Sequence, residues 1–167
     1  MNTQQTFVID NGANILNAKF GKSSQQIIAT GDDQSDVCLW SIMSSKAKVV
    51  SLKLRQKLSG HSTPVTALDF SSEEKKLYSG SECGRIFVWD VQKGKGKWPV
   101  ITEIMQLRGH LSQVNTLNSQ MSEEDNLLAS GAKDNNVKIW DLKSGACVRT
   151  IKTCDAPVTS VALSPDD

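Results

Sequence analysis

Short apolar runs separated by polar turns recur along the chain. The clearest cycle opens at Gly109-His110 and closes at Trp140-Asp141. Inside it, residues 114–117, 127–129 and 137–140 are apolar, while 122–125 and 133–136 are polar punctuation. Runs this short, joined by tight polar turns, predict an antiparallel meander. Residues 146–151 supply its outer strand. The same order appears earlier, with Gly60-His61, then strands over 65–70, 77–79 and 86–89 closed by Asp90, and an outer strand over 101–107. A weaker copy has strands over 15–20, 26–30, 37–40 and 50–58, and a fourth begins at Pro157-Val158. Ile86 to Trp89 is apolar without alternation, as in a strand covered on both faces. In 50–58 the alternation predicts Leu52, Leu54 and Leu58 on one face and Lys53, Arg55 and Lys57 on the other.

Self-similarity at a period of roughly forty to fifty residues marks an array of supersecondary units. A Gly-His start, a Trp-Asp end and four strands per unit resemble the WD-repeat family. That resemblance implies an all-β partial β-propeller: three four-stranded antiparallel blades plus the first strand of a fourth. The repeats run over about 11–58, 59–107, 108–152 and, in part, 153–167. It also implies a buried hydrogen-bonded set in the third repeat, made of His110, Ser130, Asp134 and Trp140. The other sets are partial. His61, Ser79 and Trp89 lack an acid because Cys83 stands at its position. Thr30 and Trp40 have neither histidine nor acid, since Asn11 and Gln34 occupy those positions. Cys154 replaces the fourth histidine. Unequal stability among the blades is the expected consequence.

A narrower likeness rests on Ala29-Thr30-Gly31-Asp32-Asp33, on Val37-Cys38-Leu39-Trp40-Ser41-Ile42, and on Leu58 to Val65, with Ser71-Ser72-Glu73-Glu74 and Ile86 to Asp90 following. Together these resemble the N-terminal propeller of the katanin regulatory-subunit family. The likeness implies a partner of a microtubule-severing ATPase, a contact with microtubules, and a cytoplasmic, cytoskeleton-associated location. A generic WD-repeat adaptor in a vesicle coat, ubiquitin ligase or RNA-processing complex is the alternative. The dipeptides Trp89-Asp90 and Trp140-Asp141 lack the following arginine that many ubiquitin-ligase adaptors carry.

Net charge is +1 over 167 residues, which gives no global drive toward nucleic acid or anionic membrane. No apolar run approaches the roughly 20 residues that span a bilayer. The four cysteines form no C-x-x-C pair and only two histidines are present, so no metal site or other cofactor is expected. Partners are therefore expected to be proteins rather than nucleic acid or a small-molecule substrate. Gly21-Lys22-Ser23 lacks the upstream glycine and the helix of a phosphate-binding loop and reads as a turn. His110, Asp134 and Ser130 have the composition of a hydrolase triad, but the serine falls in a strand within the implied structural set, so the chain reads as non-enzymatic. Lys46, Lys48, Lys53, Arg55 and Lys57, and separately Lys93, Lys95 and Lys97, are basic stripes. They read either as solvated edge charge or as attraction for an acidic partner surface. Trp98 is either a cap on the second blade or an interface anchor.

Loops on a rigid scaffold usually carry recognition residues. The candidate partner-binding set is accordingly Asn11, Asn14, Asp32, Asp33, Gln34, Ser62, Thr63, Glu82, Leu111, Ser112, Lys133 and Asn135. Three blades cannot close a ring, so the chain is expected to be either a piece of a longer protein or the product of an incompletely delimited gene. Apolar faces lined by 37–40 and 137–140 are expected to stand open and to drive self-association.

Overall fold

The computed structural model describes residues 12–22, 26–44, 50–92, 99–119, 127–153 and 155–164. These form twelve strands in three separate antiparallel sheets, with no helix among the described residues. Blade one holds β1 (Ile15–Phe20), β2 (Ile27–Asp32), β3 (Asp36–Ser44) and β4 (Val50–Ser59). Blade two holds β5 (Val65–Phe70), β6 (Lys76–Ser81), β7 (Ile86–Gln92) and β8 (Val100–Leu107). Blade three holds β9 (Val114–Ser119), β10 (Leu127–Ala132), β11 (Asn136–Asp141) and β12 (Cys147–Lys152). Within each blade the strands pair in chain order, as in a propeller. The strands of Phe7 to Ile9, and the positions of Asn11, Lys46, Lys48, Lys93, Lys95, Lys97, Trp98 and Cys154, lie outside the described residues.

Blade two is covered on both sides, which explains its unbroken apolar strand. Phe87 and Trp89 pack with Leu68, Phe70 and Leu77 against Ile27, Ala29, Val37, Leu39 and Leu58 of blade one. On its other side, Tyr78, Ile86, Val88 and Leu107 pack against Val114, Leu117, Leu128 and Trp140 of blade three. One close contact recurs between blades. A Cβ on Gly31 would lie 2.6 Å from Val65, one on Gly80 2.7 Å from Val114, and one on Gly131 would collide with Val158. Each glycine on a second strand thus receives the valine that opens the next cycle. Removing the side chain is what lets neighbouring sheets approach this closely.

Three expectations need correction. Leu52, Leu54 and Leu58 do not share a face. The register shifts between Leu39 and Trp40, pairing Leu39 with Gln56 but Trp40 with Leu54. The extra residue, Arg55, is a β-bulge, and a bulge breaks period two. Leu58 therefore packs toward blade two, while Leu52 packs with Ile28, Cys38 and Trp40 on the opposite face. The same shift occurs at Val88/Trp89 and Ile139/Trp140.

The second correction concerns Trp140, which does not line an open face of blade three. It is buried against blade two. Val137 and Ile139, on alternate positions, look away from blade two. Blade one does turn Trp40 away from blade two, with Phe20 and Leu54 exposed on the same face through their pairing with Ile28 and Trp40.

The third correction concerns the fourth cycle, which forms no ladder among the described residues. The Val158 amide donates to Ala132 O (3.1 Å), Asn115 Nδ2 donates to Val158 O (2.8 Å), and the Leu163 amide donates to Asn118 Oδ1 (2.8 Å). In each blade the first strand ladders with the second strand of its own cycle, and no such strand is described here.

Candidate functional site

The best-connected polar group lies at one end of blade three. Trp140 Nε1–H donates to Ser130 Oγ at 2.8 Å, and Ser130 Oγ lies 2.7 Å from His110 Nε2. His110 Nδ1 lies 2.9 Å from Asp134 Oδ2. An ionised carboxylate only accepts, so it holds the ring proton on Nδ1 and leaves Nε2 to accept from the Ser130 hydroxyl. Asp134 also accepts from the Leu111 amide (2.8 Å) and the Asn136 amide (3.1 Å). Burial pushes the Asp134 carboxyl up, but the Leu111 amide and His110 outweigh it, and it ends below its ordinary value. Burial lowers His110, against the pull of Asp134, so the ring is neutral at pH 7. Every polar atom in this chain of bonds has a partner, as buried groups require. Ser130 is fully enclosed and its oxygen is shared between Trp140 and His110, so no substrate carbonyl can reach it.

Blade two repeats the arrangement without its acid. Trp89 Nε1–H donates to Ser79 Oγ (2.8 Å), which lies 2.7 Å from His61 Nε2. His61 Nδ1 is buried with no partner. Cys83 holds the position of Asp134, but its thiol is 3.4 Å from Ser81 Oγ. Burial, helped by the charge of Arg85, pulls His61 down to about 4, and the ring packs on Phe87 with centroids 4.2 Å apart.

In blade one only Trp40 Nε1–H to Thr30 Oγ1 remains, at 2.9 Å. Other contacts, missed in the sequence, fix its turn. Asp32 Oδ1 accepts from the Gln34 and Asp36 amides at 3.0 and 2.9 Å. Buried Asp36 takes the Ser59 hydroxyl (3.0 Å) and Lys57 Nζ (2.7 Å). A further missed group joins all three blades. Buried Asp69 of blade two accepts from Lys22 Nζ of blade one (3.0 Å) and from the amide and hydroxyl of Ser119 of blade three (2.9 and 3.0 Å). Lys22, which sequence reads only as part of a turn, is thus the counter-ion of a buried carboxylate. The available signal was an aspartate in an otherwise apolar strand.

The candidate partner residues fall in the segments that enter each blade and in the turns between its second and third strands. Asn14 and Asp33 bind each other, with Asn14 Nδ2 donating to Asp33 Oδ2 at 2.7 Å. Gln34 is exposed beside them. Thr63 Oγ1 accepts from the Cys83 amide (3.1 Å), and the Glu82 amide donates to Pro64 O (3.0 Å). Ser62, Glu82 and Lys133 are exposed, and Ser112 is half-buried. Leu111 is 89% exposed although its amide is tied to Asp134. Asn135 adopts a positive φ of 63° in its turn, as do Ser35 (70°) and Gly84 (84°) at the matching positions. Asp32 is a correction: it is 2% exposed and serves its own turn, so it cannot face a partner.

Sheets of this topology, carrying tryptophan–serine–histidine sets between blades, define a WD-repeat β-propeller. The crystal structure of the RRP9 WD40 repeats has the same fold, with a TM-score of 0.73 at 18% identity over 92% of this chain and 43% of that one. The chain belongs to the nucleolar protein 10-like N-terminal domain family, whose model matches residues 3–167. It is 30% identical over 125 residues to eukaryotic translation initiation factor 3 subunit I of Culex quinquefasciatus, covering 75% of this chain and 34% of that protein. It is 32% identical over 108 residues to the periodic tryptophan protein 2 homolog of Dictyostelium discoideum (65% and 11%), and 28% identical over 153 residues to WD repeat-containing protein 18 of Bos taurus (89% and 33%). The chain thus spans about a third or less of the length of these relatives. None of these matches is to katanin. The expected cytoskeletal location is overturned by the family match, which is to a nucleolar protein's domain.

Proposed function

We propose that the chain is part of a non-enzymatic propeller scaffold that holds proteins together in a nucleolar RNA–protein assembly. The nucleolar protein 10-like match supports the setting, and the initiation-factor relative supports the kind of assembly. The observation that carries the scaffold reading is Leu111. A large apolar side chain stands 89% exposed on a segment held by the buried Asp134 carboxylate. A rigidly mounted apolar anchor gains contact area on binding at little cost in ordering. Catalysis has no comparable support, because the one triad-like group is sealed.

The test is a tagged chain expressed in cells, comparing wild type with Leu111→Asp and Lys133→Glu. Co-localisation with a nucleolar marker is expected, together with loss of co-purified proteins in the variants at unchanged melting temperature. Enrichment on microtubules, or variants that retain every co-purified protein, would overturn the reading.

A further inference from the structure

The rim of blade two carries two arginines where the matching pairs of its neighbours carry at most one cation. The ladder of β7 and β8 ends at Ile86–Leu107, and Arg85 and Arg108 follow on opposite strands. The matching pairs are Asp36–Ser59 in blade one and Asn136–Lys152 in blade three. In blade one the acid is satisfied within the chain, by the Ser59 hydroxyl and by Lys57. Side chains alternate along a strand. Arg85 therefore shares the face of Phe87, and Arg108 that of Gln106, which pairs with Phe87. That face packs on blade one. Arg85 and Arg108 are exposed at its edge although the neighbouring blade is in place.

Like charges set opposite each other on two strands repel. Among the described residues neither arginine meets a carboxylate. Arg108 Nη2 donates to Gln106 Oε1 (2.9 Å), while Gln106 Nε2 takes up Glu103 Oε1 (2.8 Å). The backbone of Arg85 is held, since the Ser81 amide and hydroxyl both donate to its carbonyl, at 3.0 and 3.1 Å. Its positive charge is felt at His61, which places the guanidinium beside the segment that enters blade two.

We propose that Arg85 and Arg108 together hold one carboxylate of a protein partner, a Glu or Asp side chain on an otherwise uncharged segment. Guanidinium forks match a carboxylate, and one shared anion turns their repulsion into attraction. Glu82 lies on the turn that leads to Arg85, and Glu103 lies on the face of Arg108. The rim thus sets two anions beside its two cations, which suits a single carboxylate. An RNA backbone needs a run of unopposed cations, and its bases stack on exposed aromatic rings, whereas Phe87 and Trp89 are buried. Leu111 stands on the segment that enters blade three, so the two contacts can fail independently.

The 167-residue chain would be titrated by NMR with three probes. These are the end-blocked peptide Ser-Gly-Val-Glu-Val-Gly-Ser, the same peptide with Gln for Glu, and a heptauridylate. The Glu peptide is expected to shift the Nε–H resonances of Arg85 and Arg108 and the amides of residues 60–62. The Gln peptide should bind about tenfold more weakly. Arg85→Gln/Arg108→Gln should weaken the Glu peptide by about tenfold and leave the melting temperature no lower, because it removes a like-charge pair. Arg85→Lys/Arg108→Lys should fall between, since an ammonium lacks the fork. Lys53→Gln on β4 should leave binding unchanged. Equal binding of the two peptides, tighter binding of the heptauridylate, or a glutamine variant that binds as wild type does would overturn the proposal. So would a fall in the glutamine variant's melting temperature, since the arginines would then be serving the fold.

Discussion

Blades two and three carry the same tryptophan, serine and histidine in the same geometry, and they differ in one residue. Asp134 gives His110 an acceptor, and Cys83 gives His61 none. The indole–hydroxyl and hydroxyl–imidazole distances are the same in both, at 2.8 and 2.7 Å. The acid is therefore not needed to assemble the set. Its effect falls on the histidine's outer nitrogen and on the neighbouring backbone, where Asp134 also fixes Leu111 and Asn136. In blade two the cost is a buried ring nitrogen with no partner. Packing of His61 on Phe87 contributes something in return.

The largest expected effect is in pH. His61 falls to about 4 in the folded chain from an ordinary 6.5. A base buried in its neutral form stabilises fully above its unfolded pKa. That contribution is lost as the pH falls from about 6.5 toward 4, where the unfolded chain takes up the proton first. The loss is about 3 kcal/mol at most, at 1.36 kcal/mol per unit. His110 of blade three is lowered as well, but Asp134 opposes that shift, so its loss on acidification is smaller; the lowered Asp134 carboxyl stabilises above about 3.8, and that part is lost only below it. Hydrogen exchange resolved by blade should show blade two opening first between pH 6 and 4. Simultaneous opening would break the comparison.

Asp134→Ala should cost blade three about 2–3 kcal/mol, because it orphans the buried His110 Nδ1–H and frees the Leu111 and Asn136 amides. Denaturant titration checks the loss, and faster exchange at Leu111 checks its cause. Cys83→Asp should supply the missing acceptor, stabilise blade two by about 1–2 kcal/mol, and move the His61 titration upward. An imidazole titration by NMR reads this directly, and an unmoved His61 would mean that the new carboxylate turns away from the ring, as the thiol does toward Ser81. The smallest effect is expected for His61→Phe. It keeps a ring against Phe87 and removes the stranded ring nitrogen along with the bond to Ser79, so the net change should lie within about 1 kcal/mol. A loss as large as that of Asp134→Ala would show that blade two depends on its histidine as much as blade three does.

Blade two's apolar β7 was legible as a strand covered on both faces, and the absence of an acid at Cys83 was legible by comparing cycles within one chain. The bulge at Arg55 was not. It adds one residue without any change in residue type, so Leu54 still alternates in the sequence while its side chain shares the face of Trp40 rather than that of Leu58. The cross-blade group of Lys22, Asp69 and Ser119 was equally hidden, because its members are 47 and 50 residues apart and belong to three different cycles.

The sequence by itself determined the strand order, the cycle, and which positions could form the buried sets, because period-two burial and turn chemistry act over a few residues. Tertiary structure decided what those positions face. Trp140 turns to blade two rather than to the open side, and each Gly–Val contact joins neighbouring cycles. These outcomes depend on how one sheet is set against the next. That setting is fixed by steric fit between residues about 30 to 50 positions apart, which local patterning does not encode.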